Sequence, residues 1–337
     1  MAMEPVFTLA DLRTASFAPV PLAVLGHPIA HSLSPRMHNA ALTALARDSS
    51  AASQPPEALA KGGGRAGSDR VRARTTAEAQ ARPEVALHPF SDWHYDKFDI
   101  EPAALSEALA ALAARGFLGV NLTVPHKVLA VAEVADIEPS ARAAGAVNTL
   151  LRTGAGWHGF NTDGYGLAMG VRETLGCELG GQAVILLGAG GAARGAAVEC
   201  LARGCASLAV GNRTAATRDA LLAELRPLAG TIPLRGFDPS APPADLPDGA
   251  LVINATSLGL QPDEPPPIDL ALLPPPSGVY DMIYNPPQTA LLAAAARLGL
   301  PAANGLSMLV HQGARALEIW SGVPATVTAP SMAAALR

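Results

Sequence analysis

Lys127 and Asp163 are the side chains in this sequence best suited to moving a proton. Reducing a carbonyl by hydride builds an alkoxide that needs a proton. An ammonium oriented by a carboxylate can give one while stabilising the developing charge. Other polar groups occur in the same kind of place, between a strand-like and a helix-like stretch. They are Ser32 and Ser34, Asn121 and Thr123 ahead of Lys127, Asn148, and Asn161 ahead of Asp163. Two hydroxyls at a helix start suit a small carboxylate. Each residue also has an ordinary reading. Lys127 alone could be a surface lysine, and Asp163 could cap the helix after it. Ser34, directly before Pro35, fits an N-cap serine with proline at the first helical position; Ser32 has no such role. Together the clusters point to a small hydroxylated substrate held at one end of a sheet. His27, His31 and His38 lie nearby without a spacing that suits a metal ion.

A second constellation runs Ala183-Val-Ile-Leu-Leu-Gly188-Ala189-Gly190-Gly191-Ala192-Ala193-Arg194. A buried strand meets a tight turn at Gly188, and Gly190 lets the backbone approach a diphosphate. Ala193 is small enough to pack the new helix on the strand. The free amides at that helix start carry partial positive charge. A helical stretch to about Arg203, a stop at Gly204 and a second strand at Ser207–Val210 complete one strand–helix–strand unit. An NAD site usually places an acid after that second strand. This chain has Asn212, Arg213 and Thr214 instead, a cation and two neutral groups that suit a 2′-phosphate, so NADP preference is expected. Arg218 is a candidate second cation. The ordinary reading of Arg213 is a solvated surface arginine.

The elements that must position these groups alternate between strand and helix, which argues a parallel or mostly parallel sheet. The expected strands are Pro21–Leu25, Tyr95–Ile100, Val120–Val124, Ala183–Leu187, Ser207–Val210, Leu251–Ile253 and Val279–Ile283. The expected helices run from Ser34 to about Arg47, Pro102 to about Arg115, Lys127 to Val134, Tyr165 to Leu175, Ala192 to about Arg203, Ala215 to about Leu228, Thr289 to Leu298 and Gly305 to about Trp320. Asn254-Ala-Thr256-Ser257 closes a strand where open α/β sheets bind ligands. Residues 48–89, with Lys61-Gly-Gly-Gly-Arg-Ala-Gly and Arg70-Val-Arg-Ala-Arg74, lack any apolar period and read as a disordered, dispensable insertion.

At 337 residues the chain is long enough for two domains with their own cores. Its 24 basic and 29 acidic residues give a net charge of −5, which offers no basis for binding nucleic acid or an anionic membrane. Cys177, Cys200 and Cys205 have no metal-like spacing, and their odd number suits a reducing compartment. Residues 1–18 carry Glu4 and Asp11 and no long apolar core, so they do not read as a secretory signal. No apolar run reaches membrane-spanning length. A cytoplasmic protein is expected.

Asn121-Leu-Thr-Val-Pro-His-Lys127 resembles the signature of the shikimate dehydrogenases. So do Gly26-His-Pro-Ile-Ala-His-Ser-Leu-Ser-Pro35, Gly145-Ala-Val-Asn-Thr149, Asn161-Thr-Asp163, the Gly188–Arg194 turn, Asn212-Arg-Thr214 and Asn254-Ala-Thr-Ser257, in the family's order from about Pro21 to Trp320. The resemblance implies reversible reduction of 3-dehydroshikimate to shikimate with NADPH, on the route to aromatic amino acids. It implies Lys127 as acid/base with Asp163 as partner, and substrate contacts from Ser32, Ser34, Thr123, Asn148, Tyr284 and Gln312. It assigns cofactor contacts to Gly188, Ala189, Gly190, Gly191 and Ala192, a 2′-phosphate clamp to Asn212, Arg213 and Thr214, and the nicotinamide edge to Met282 and Gly305. The implied fold is α/β. An extension (1–18) precedes a substrate domain (19–163), a Rossmann-like NADP domain (164–304) and a C-terminal helical segment (305–337) returning to the first domain. Two departures stand out: the register of Arg218, and a stretch Ala303–Met308 less acidic than is usual. A quinate/shikimate dehydrogenase using NAD and a non-catalytic NADP-binding sensor are the alternatives; homodimer formation stays open.

Overall fold

Every residue of Val20–Gly26 is buried, as in a strand with other layers on both faces. The computed structural model describes residues 4–52, 88–261 and 263–337. The first half forms a seven-stranded sheet of β1 (Phe7–Thr8), β2 (Val20–Gly26), β3 (Trp93–Asp99), β4 (Gly119–Leu122), β5 (Asp136–Ile137), β6 (Thr149–Thr153) and β7 (Gly156–Phe160). Its order is β1-β3-β2-β4-β6-β7-β5. Between these strands run α1 (Asp11–Thr14), α2 (Ser34–Ala52), α3 (Leu105–Ala114), α4 (His126–Leu129) and α5 (Pro139–Ala144). The sheet is mixed rather than uniformly parallel. β6 runs antiparallel to β4 and folds back on β7 as a hairpin, with Gly156 at φ +127° as the first residue of β7 after the turn.

The second half is a six-stranded, all-parallel sheet. It comprises β8 (Ala183–Leu187), β9 (Ser207–Gly211), β10 (Leu234–Phe237), β11 (Leu251–Asn254), β12 (Gly278–Asp281) and β13 (Ala302–Asn304). The order β10-β9-β8-β11-β12-β13 is that of a doubly wound dinucleotide fold. Its helices are α6 (Asp163–Leu175), α7 (Gly191–Ala202), α8 (Ala215–Ala229) and α9 (Ala290–Arg297), followed by α10 (Leu306–Ser321) and α11 (Ala325–Ala335). Val184 and Leu186 point into one core with α6, α7 and α8, while Ile185 and Leu187 point into another with α9. That alternation is the strand period of two.

α10 and α11 return to the first sheet. Val310, Leu317 and Trp320 share a core with Val24, Met37 and Tyr95. The Trp320 indole donates to the Leu150 carbonyl at 2.9 Å, and a Cβ on Gly119 would collide with that indole. α6 joins the halves: Leu167 and Val171 enter the second-sheet core, while Tyr165 packs on the first.

Several sequence expectations need correction. Residues 4–18 are no mere extension: β1 pairs in parallel with Phe98 and Asp99, and Phe7 and Phe17 pack on Phe98. α2 runs on to Ala52, so residues 48–52 belong to a helix; the rest of the expected insertion, residues 53–87, lies outside the described residues. The helix expected over Lys127–Val134 ends at Leu129 and continues only as a 3₁₀ turn, Ala130–Ala132. β1, β5, the β6–β7 hairpin, β10, β13, α1, α5 and α11 have no counterpart among the expected elements. Among the described residues no helix is long and apolar enough to cross a membrane, and no cluster of His, Cys, Asp and Glu could hold a metal ion.

Candidate active site

The Lys127 ammonium donates to Asp163 Oδ2 at 2.6 Å, with both side chains about three-quarters covered, 28% and 23% exposed. Lys127 stands on the first turn after β4, and Asp163 opens α6. Asp163 does not cap its own helix. Its backbone N–H donates to Asn161 Oδ1 at 3.0 Å, and its second oxygen accepts from Asn148 Nδ2 at 2.9 Å. Position in the first helical turn still favours its negative charge.

Asn148 is almost fully buried. Its oxygen accepts from the Thr162 N–H at 2.8 Å, and its amide also reaches Thr162 Oγ1 at 3.0 Å. The Asn148 carbonyl accepts from Asn121 Nδ2 at 3.0 Å, and Asn121 Oδ1 accepts from the Tyr95 hydroxyl at 2.7 Å. Burial pushes the Tyr95 phenol well above its ordinary pKa, against an opposing pull from the Ser34 side chain. A continuous network therefore runs Tyr95–Asn121–Asn148–Asp163–Lys127, buried at its Tyr95 end and partly exposed at Lys127. The sequence reading missed Tyr95. Its signal was a tyrosine at a buried strand position, where a phenol must find a partner.

One cavity of about 330 Å³ is lined by Ser32, Ser34, Thr123, Lys127, Asp163, Met282, Tyr284, Gly305 and Gln312, with Val24, Asn121 and the loop Pro28–His31. Asn148 is behind this wall, with Gln312 3.4 Å from its amide. Ser34 is the first residue of α2 rather than the residue before it, and its N–H donates to Ser32 Oγ at 3.3 Å in a local turn at the helix entry. Gly305 lines the cavity, but its identity is set by packing, because a Cβ there would strike the Met282 carbonyl.

A second cavity is lined by Gly188, Ala189, Gly190, Gly191, Ala192, Asn212 and Arg213. Gly188 takes φ +111°, and a Cβ would stand 3.0 Å from the Ala255 carbonyl. At Gly190, Gly191 and Gly195 a Cβ would meet nothing within 4 Å. No protein packing requires those glycines, and the space they leave fits a dinucleotide diphosphate over the free amides of the 12-residue α7. Arg213 is exposed at the rim and forms no ion pair among the described residues. Thr214 does not line the cavity; its carbonyl accepts from Asn212 Nδ2 at 3.0 Å. Arg218 is turned away, with Nε 2.9 Å from Asp219 and its stem on Gly236. A third hollow, between Val124–Val128 and the Gly191–Ala196 face of α7, shares Lys127 and Asp163 with the first and Gly191 and Ala192 with the second. The three form one groove from Ser32 to Arg213.

Comparison with known proteins identifies this arrangement. A protein of Symbiobacterium thermophilum named shikimate dehydrogenase (NADP(+)) is 37% identical over 305 residues, covering 89% of this chain and 88% of its own. The chain belongs to the shikimate dehydrogenase family. The model for the shikimate dehydrogenase substrate binding domain matches residues 86–150, and that for the shikimate 5'-dehydrogenase C-terminal domain matches residues 305–337. The crystal structure of shikimate 5-dehydrogenase from Thermus thermophilus in complex with NADP(H) and shikimate is 31% identical. It covers 94% of this chain and 99% of its own with a TM-score of 0.70. The 5-ketofructose reductase of a Gluconobacter species has the same TM-score, 0.70, at 28% identity over 94% of this chain and 99% of its own. The shikimate dehydrogenase fold thus also houses an enzyme named for a keto sugar.

Proposed function

We propose that this shikimate dehydrogenase family member reversibly reduces 3-dehydroshikimate to shikimate with NADPH, in the route to aromatic amino acids. The observation that carries the reading is the 2.6 Å Lys127–Asp163 pair, set in one cavity with Ser32 and Ser34 and joined by a groove to the Gly188–Ala192 turn. Ser32 and Ser34 hold the substrate carboxylate. Thr123, Tyr284 and Gln312 hold the ring hydroxyls, and Asn148 acts on the substrate side through Asp163 and Gln312. Asn212 and Arg213 face the 2′-phosphate, and Met282 and Gly305 border the nicotinamide.

Bound NADPH supplies the hydride. As the carbonyl carbon accepts it, the Lys127 ammonium gives its proton to the carbonyl oxygen and becomes an amine, which is reprotonated from water. Asp163 orients the ammonium and balances its charge, and Asn148 holds the carboxylate through its other oxygen. In the reverse direction Lys127 accepts the hydroxyl proton. The unpaired Cys177, Cys200 and Cys205 agree with work in the reducing cytoplasm. The test is to add shikimate and NADP to the purified protein and follow the NADPH absorbance band. Steady growth of that band is expected. A flat trace with shikimate, at substrate and cofactor levels that saturate an active relative, overturns the reading.

A further inference from the structure

Among the residues lining the substrate cavity the only carboxylate and the only lysine or arginine are Asp163 and Lys127, which face each other. The lining is therefore close to neutral. A carboxylate substrate entering it loses water and meets two hydroxyls but no surplus positive charge. Beyond the partial charge of the α2 start, a full countercharge has to come from outside the wall.

Lys97 is placed for that. In the parallel ladder it is the register partner of Val24, which is in turn the partner of Asn121. Register partners point to the same face, so Lys97 shares the face of Val24 and Asn121, both of which line the cavity. It stands one strand further out. Lys97 is only 6% exposed, and its ammonium donates to the Ala30 carbonyl at 3.1 Å. Ala30 belongs to the loop that brings His31, Ser32 and Ser34 to the cavity. No ion pair is formed by Lys97 among the described residues. The neighbouring acids are engaged by histidines instead: Asp99 with His27 at 2.6 Å, Asp96 with His94 at 3.4 Å. A buried cation without an anion is costly, and an anionic ligand arriving close by relieves that cost.

We propose that Lys97 is the countercharge for the substrate carboxylate and selects acid substrates over neutral keto polyols of similar size. Lys97 is a positioning residue, acting through space and through the Ala30–His31 peptide. A trans peptide carries its N–H opposite its C=O, so the bond to Ala30 also turns the His31 N–H away from the ammonium. The proposal deepens the reading of the site as a dehydroshikimate reductase and rests on it.

The experiment compares shikimate with its neutral carboxamide as substrates, with NADP, for the native protein and for Lys97→Gln. Glutamine keeps a donor for the Ala30 carbonyl and removes the charge. The expected result is a KM for shikimate raised roughly tenfold to a hundredfold. The KM for the carboxamide, the KM for NADP and kcat stay close to native, and Lys97→Arg restores most of the preference for the acid. An equal rise for acid and carboxamide makes Lys97 a loop prop and overturns the proposal, as does no rise at all. If Lys97→Gln does not fold, Lys97→Met is compared by thermal unfolding. It is expected to match or exceed the native stability alone while losing most of the shift that shikimate produces; a full shikimate shift refutes the countercharge. Failure of the native protein to oxidise shikimate is a separate outcome, which removes the reading of the site itself.

Discussion

The amide of Asn148 holds one oxygen of Asp163 while the other accepts from Lys127, an arrangement that fits the proposed proton transfer. Lys127→Ala is expected to lower kcat by roughly 10²–10⁴ while both ligands still bind. Turnover, together with the thermal shifts produced by shikimate and by NADP, checks this; unchanged turnover returns Lys127 to the surface. Arg213 stands exposed at the rim of the nucleotide cavity, without an ion pair among the described residues. Arg213→Ala should raise the KM for NADP roughly tenfold to a hundredfold, leaving that for NAD nearly unchanged. Equal effects on the two cofactors remove Arg213 from the 2′-phosphate. The Lys127–Asp163 pairing and the place of Arg213 beside the glycine turn were legible in residue types and in the resemblance of their motifs. The buried connection was not. Tyr95 and Asn121 are 26 positions apart and meet only because β3, β2 and β4 lie side by side. The local bond from the Ser34 N–H to Ser32 Oγ depends on backbone geometry, which Pro35 alone does not specify.

Among the elements, α6 carries both Asp163 and the contact that joins the halves, so its packing against α10 sets the site. Two glycines allow the close approach. A Cβ on Gly166 would stand 2.7 Å from the Met308 carbonyl, and one on Gly170 would strike the Tyr280 hydroxyl. Gly170→Ala should therefore cost about 1–3 kcal/mol through overpacking, despite the higher helix propensity of alanine. Urea unfolding measures it, and a gain in stability would mean that α10 moves aside freely. The second half of the fold was easier to read because its strands are short apolar runs between clear helical periods. The elements missed have physical reasons. β13 is three residues at a sheet edge, and β10 is only partly buried, so neither shows an apolar run. α11 contains Pro330, which obscures its pattern. The helix after Lys127 stops early because Val128, Leu129 and Val131 are exposed; without a face to bury, nothing sustains it.

For the molecule as a whole, two consequences follow from how distant segments meet. The chain comes together on either side of residues 53–87, since Ser49 near the end of α2 lines the same hollow as Pro89 and Phe90. A short glycine–serine bridge in place of 53–87 should leave shikimate turnover near native, because loop length has only a weak effect on closure; loss of turnover in a folded deletion variant contradicts this. The second consequence concerns acid. His38 lies fully buried where α2, β3 and the returning α10 converge. Its ring stacks on Tyr95 at 4.1 Å, and its Nδ1 donates to the Ser34 carbonyl at 2.9 Å. Burial lowers its pKa from 6.5 to about 4. Above pH 6.5 it is neutral both folded and unfolded and exerts no pH effect. Between 6.5 and about 4 the unfolded chain binds a proton that the folded chain refuses, so stability falls as pH drops through that window. The full loss is roughly 3 kcal/mol, reached below about pH 4. His27 and His94 act in the opposite sense. Their carboxylate partners raise their pKa values, so what they add is present below 6.5 and fades as pH rises through the raised values. They are more exposed, and water screens them more. Urea unfolding across this range should therefore show a loss toward acid that is smaller in His38→Gln. Equal slopes in the two proteins would mean that the imidazole takes up its proton without disturbing the junction of α2, β3 and α10.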